Sequence, residues 1–83
     1  MPNKYSFTIG GEEFSLSAED VERKLKGLEP EEVQQVYVEV SGRRYPVKQA
    51  LGVSAGLIRS GFTTQMAVRV LRKLGFKLGE VAR

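Results

Sequence analysis

The chain has 83 residues, 41% hydrophobic and 28% charged, and contains neither cysteine nor histidine. That length allows one domain, residues 1–83, with a modest core, and the composition is that of an ordinary globular chain. With the commonest covalent nucleophile, general base and metal ligands missing, no enzyme, metal site or cofactor site is expected.

No apolar run approaches the roughly 18 residues that span a bilayer. The opening MPNKYSF lacks the apolar stretch of a secretion signal, so a cytoplasmic location without membrane contact is expected. The formal net charge of +3 hides an asymmetry. Residues 1–40 hold four basic and nine acidic side chains, whereas residues 41–83 hold nine basic ones against Glu80 alone. An acidic scaffold half and a basic contacting half are the footprint of an anion-binding face, with nucleic acid the usual partner. The plainer reading is that the two halves neutralise each other.

In chain order, KYSFTIGGEEFSLS reads as a hairpin. Tyr5, Phe7 and Ile9 alternate with polar residues, Gly10-Gly11 supplies a turn that tolerates positive φ, and Phe14 and Leu16 return on the same face. This register sets Phe7 against Phe14 and Tyr5 against Leu16, as core. Ser17 and Asp20 form a capping box ahead of AEDVERKLKGL, a helix with Val21 and Leu25 on its buried stripe. Its acids sit in the first turn and its bases in the last, which helix electrostatics alone explains. EPEEVQQ reads as one further helical turn, with Pro30 at its first position.

VYVEV is an alternating β-branched strand, and Ser41-Gly42 turns it into RRYPV, a second hairpin. Pro46 has no N–H to donate, so the returning strand ends there or is an edge, and Pro46 opens the next helix, VKQALGVSAG. In RSGFTTQMAVRVLRKLGF a threonine cap precedes a helix with Ala67, Val70, Leu71 and Leu74 on one side. Gln65, Arg69, Arg72 and Lys73 fall on the other. Gly75 ends this helix. The expected fold is therefore α+β, approximately ββαββαα, with two hairpins and a C-terminal helix-turn-helix-like pair.

The last helix has the form of a recognition helix, and Arg43 and Arg44 add cations at a hairpin. Arginine can read guanine edges, while Lys48 and Lys73 suit phosphate as point charges. The pattern RYPVKQAL, then a phenylalanine, a threonine and RVLRKLGF, resembles the sulfur-binding domain of restriction endonucleases that recognise phosphorothioate-modified DNA, over about residues 43–76. The resemblance implies that Tyr45 and Pro46 wall a shallow apolar cavity for the sulfur, that Lys48 is the motif lysine, and that Arg69 or Arg72 is the supporting cation. The chain departs from that pattern at Val47, in place of a second proline, and at Gln49, in place of a small apolar residue.

The function expected from the sequence is thus a small, nucleoid-associated protein that binds duplex DNA through Arg43, Arg44, Tyr45, Pro46, Lys48, Gln65, Arg69, Arg72 and Lys73. The alternative is a protein-interaction or homodimerisation module, meeting its partner through the edge strand RRYPV or the acidic helix. No carboxylate pair stands beside a nucleophile, and GLIRSG is too short for a phosphate loop and lacks its lysine.

Overall fold

The computed structural model describes residues 4–33 and 35–81. Its elements run β1 (Tyr5–Ile9), β2 (Glu12–Leu16), α1 (Ala18–Leu25), β3 (Val36–Val40), β4 (Arg43–Pro46), α2 (Val47–Ala55), a single 3-10 turn at Arg59–Gly61, α3 (Thr64–Lys73) and β5 (Lys77–Glu80). The ββαββαα order expected from the sequence is present, with one strand added at the end.

Both hairpins form on two-residue turns with positive φ throughout. Gly10 and Gly11 have φ of 59° and 82°, and Ser41 and Gly42 have 52° and 80°. Such turns match the right-handed twist of the flanking strands, which is why a short hairpin closes there. The first hairpin pairs Tyr5 with Leu16 and Phe7 with Phe14, the two phenyl rings lying 5.7 Å apart. Only its turn-proximal and helix-proximal residues, Ile9 and Leu16, are fully buried. Phe7 and Phe14 are half-buried, and Tyr5 is exposed. The expectation that all of these aromatics are core therefore holds in part.

Ser17 caps α1 with both bonds of the capping box: its Oγ accepts from the Asp20 N–H at 3.1 Å, and the Ser17 N–H donates to the Asp20 carboxylate at 3.0 Å. The further helical turn expected does not form among the described residues of EPEEVQQ. Residues 29–33 and 35 are irregular there, and Gln34 lies outside the described residues. Their backbone groups bond instead to Gln49. Its Nε2 donates to the Glu29 carbonyl at 3.1 Å, and its Oε1 accepts from the Glu31 N–H at 2.8 Å. One buried amide thus takes the place of a helical turn.

Pro46 ends β4 and stands just before α2 rather than as its first residue, with a ψ of 136° that is still extended. Having no N–H, it can close a ladder but not continue one. α2 is the central element and packs against α1, α3, β2, β3 and β4. Val47, Ala50 and Leu51 join Val21, Leu25, Val38, Val40, Ala67, Val70 and Leu71 in one core. The three-stranded sheet has the order β4-β3-β5, antiparallel throughout. Alternation puts Val38, Val40, Tyr45 and Leu78 on the core face and Tyr37, Glu39, Arg44, Lys77 and Gly79 on the other. Among the described residues no helix is long and apolar enough to cross a membrane.

Candidate nucleic-acid interface

The site begins with the way α3 starts and stops. Thr63 Oγ1 accepts from the Met66 N–H at 3.2 Å, which fixes the first turn. At the other end the Gly75 N–H donates to the Arg72 carbonyl at 3.0 Å and the Phe76 N–H to the Leu71 carbonyl at 3.2 Å. This bond pair, around Gly75 at a φ of 94°, is a Schellman ending that turns the chain sharply back. The reversal sends residues 77–80 beside β3 as β5 and leaves a groove between α3 and that strand.

The groove has a volume of about 950 Å³. Gln65, Arg69, Arg72 and Lys73 line it from α3, at spacings that keep them on one side of a helix, and Val36, Leu78, Gly79 and Glu80 line it from the sheet. Val68 adds an apolar wall. Ala67, Val70 and Leu71 bury the opposite side of α3, so all four polar side chains are held outward by the same packing.

Electrostatically the groove is under-neutralised. The ion pairs among the described residues join Lys4 and Arg23 to Asp20 and Arg59 to Glu31. None of them involves Arg69, Arg72 or Lys73, and the acid lining the groove is Glu80. Lys73 also leans over the Tyr5 ring, with Nζ 5.7 Å from its centroid. Only one of these pairs, Arg59 with Glu31, joins the basic half to the acidic half; Arg83 lies outside the described residues. The Arg59 guanidinium holds both carboxylate oxygens of Glu31, one of them at 2.6 Å, which draws the Glu31 pKa below its ordinary value and raises that of Arg59 itself. The Ser17 N–H, as the main cause, holds Asp20 low in the same sense.

The remaining residues expected at the interface are placed elsewhere. Arg43 lines a second, smaller pocket of about 440 Å³ with Lys26 and donates to the Leu28 carbonyl at 3.3 Å. Arg44 lies on the outer sheet face, its guanidinium carbon 4.5 Å from the centroid of the Tyr37 ring. Lys48 is half-buried, with Nζ 5.4 Å from the Phe62 ring. Pro46 is half-buried. Tyr45 is 2% exposed and turns its hydroxyl to backbone carbonyls, so its ring is core, and it reaches the surface only at the edge of that second pocket.

Gln65, Arg69, Arg72 and Lys73 are thus brought together, while the hairpin arginines and Lys48 are not part of that groove. The sequence reading missed Val36, Val68, Leu78 and Glu80, because the groove exists only once β5 is in place. The signal available for β5 was the apolar alternation of Phe76 and Leu78, too brief to mark a strand.

The matching family model runs over residues 7–83 and is described as SCO5918-like. The chain belongs to the SCO5918-like family. That match takes in the second hairpin, all of the first except Tyr5 and Ser6, and every residue of the groove. No curated protein and no solved structure matches this SCO5918-like chain.

Proposed function

We propose that the protein binds duplex DNA by setting the outer side of α3, with Arg69 at its centre, against the phosphate backbone. The observation that carries this reading is the set of three cations, Arg69, Arg72 and Lys73, on one open groove without a carboxylate partner among the described residues. Unneutralised cations on a rigid helix release counterions when they meet phosphate, and that release drives binding. From Gln65 to Lys73 the helix rises about 12 Å at 1.5 Å per residue, comparable to the width of the major groove. In this arrangement Arg69, Arg72 and Lys73 hold phosphates, while Gln65, nearest the start of the helix, stands where a helix reaches base edges.

A narrower form follows from the resemblance to sulfur-binding domains, with the half-exposed Pro46 ring as the apolar contact for a sulfur-substituted phosphate and Tyr45 backing it from inside. Fluorescence anisotropy with a labelled duplex tests both. Binding that weakens steeply between low and physiological salt supports the DNA reading, and salt-independent or absent binding removes it. Equal affinity for plain and phosphorothioate duplexes removes the narrower form alone.

A further inference from the structure

Two features of the groove are not used by a duplex: its apolar floor and the open edge of β5. The Val81 N–H donates to the Gln35 carbonyl at 2.8 Å, making these two a hydrogen-bonded pair. In an antiparallel ladder such pairs alternate with non-bonded ones. Gly79, opposite Tyr37, and Lys77, opposite Glu39, therefore turn their peptide groups toward β3, while Leu78 and Glu80 turn theirs away from it. Among the described residues the strand order β4-β3-β5 puts no strand on that side. Unpaired peptide groups on an edge are a template for another extended segment.

We propose that the edge of β5 accepts an extended acidic segment of a partner protein as a fourth strand, with its inward side chains entering the groove. Every second side chain of an added strand points to the core face, where aliphatic groups meet Val68 and Leu78 and carboxylates meet Arg69 and Arg72. The charge of the groove selects the occupant. A second copy paired through β5 would bring two sets of α3 cations together and be repelled, whereas an acidic segment neutralises them. Lys77 on the outer face favours the same sign. The four-residue length of β5 makes the edge a poor template for segments that lack this complementarity. This inference goes beyond DNA binding and does not depend on it: it shares Arg69 and Arg72 with that reading but adds peptide groups and an apolar floor that a duplex does not engage.

The probe is an end-capped, fluorescein-labelled peptide in which every second residue is in turn glutamate and leucine, with threonine between them, so that both kinds of side chain share one face of the strand; it is titrated into the full chain without DNA. Two further versions carry backbone N-methyl groups on one or the other alternating set of residues, and a fourth has lysine for each glutamate. The parent peptide is expected to bind. One methylated version should lose about tenfold or more in affinity, as removal of inter-strand hydrogen bonds worth about 1.4 kcal/mol requires, while the other keeps the parent affinity. The lysine peptide should not bind, and Arg69→Ala with Arg72→Ala should weaken the parent. Absence of binding by the parent, or equal binding by both methylated versions, overturns the proposal. The methyl groups sit on the probe, so the result does not depend on whether a variant folds.

Discussion

The hydroxyl of Tyr45 lies 2.9 Å from the carbonyl of Leu28 and 3.2 Å from that of Leu25, so a residue of β4 fastens the chain that leaves α1. Each carbonyl also has a second donor, the Leu28 N–H at 3.0 Å on Leu25 and the Arg43 guanidinium at 3.3 Å on Leu28, so the tyrosine shares both acceptors. Tyr45→Phe should cost about 0.5–1.5 kcal/mol, the net worth of a hydrogen bond whose acceptors keep another donor. Tyr45→Ala, which also empties core volume, should cost about 3–5 kcal/mol. Urea denaturation measures both. A Tyr45→Phe protein of unchanged stability would show that the hydroxyl does not anchor this segment.

Gln49 makes the same kind of fastening from α2. Its amide serves the Glu29 carbonyl and the Glu31 N–H at once, and the side chain is 3% exposed. Gln49→Ala should destabilise by about 1–3 kcal/mol because two backbone groups lose their partners. Amide hydrogen exchange should then quicken at Glu31 while the α3 amides stay protected at the level set by global stability. Uniform quickening across the chain would mean that the clamp has no local role.

These two side chains mark where the sequence stops being legible. The hairpins could be read because Gly10-Gly11 and Ser41-Gly42 name their own turns, and α1 because Ser17 and Asp20 name its start. The outer side of α3 followed from helical spacing alone. Gln49, by contrast, is a polar residue on a helix that α1, α3 and the sheets surround, and nothing local says that its partner is eighteen residues away. Tyr45 fitted both a core and a site until its neighbours were known. β5 was hidden for a similar reason: a glycine in a four-residue segment argues against a strand unless something covers it. The cations could be counted in advance, but which of them share a groove depends on β5.

Tyr37 is what covers Gly79. A Cβ at position 79 would lie 2.5 Å from the Tyr37 hydroxyl oxygen and 2.6 Å from Cζ, closer than atoms approach, and the same ring stacks against Arg44. Gly79→Ala should therefore displace the ring and cost about 1–3 kcal/mol by overpacking. In a Tyr37→Ala background the same substitution should be near neutral. A double-mutant cycle in chemical denaturation measures this coupling, and additive effects would exclude the contact as the reason for glycine.

Acid should unfold the chain partly through two carboxylates. Asp20, held low by the Ser17 N–H, and Glu31, held low by the Arg59 guanidinium, both bind protons less readily in the folded state. A depressed carboxyl pKa gives stability that is fully present above the unfolded value and is lost as pH falls through the folded one. The urea midpoint should thus be flat from neutral pH to about 5 and fall below it. Asp20→Asn with Glu31→Gln should start lower and lose less on acidification. An acid slope equal to that of the parent would place the responsible protons elsewhere.

The sharpest contrast lies between the groove and the hairpin. Arg69 stands on the exposed side of α3 beside Arg72 and Lys73, whereas Arg43 bonds to the Leu28 carbonyl and Arg44 lies over Tyr37 on the opposite face of the sheet. If α3 carries DNA, Arg69→Ala should weaken duplex binding and lower the slope of log K against log salt by about 1, the amount due to one lost phosphate contact. Arg43→Ala with Arg44→Ala should leave that slope unchanged and keep the parent circular dichroism spectrum, since both side chains are exposed. The opposite pattern, a slope lowered by about 2 in the hairpin variant and unaltered in Arg69→Ala, would move the interface from α3 to the β3–β4 turn. Equal losses in both would require a duplex to wrap from one sheet face to the other, and the bend needed would make affinity depend on DNA flexibility. Measuring both variants on a stiff A-tract duplex and a flexible one separates that case from a flat α3 interface, for which the two duplexes should bind alike.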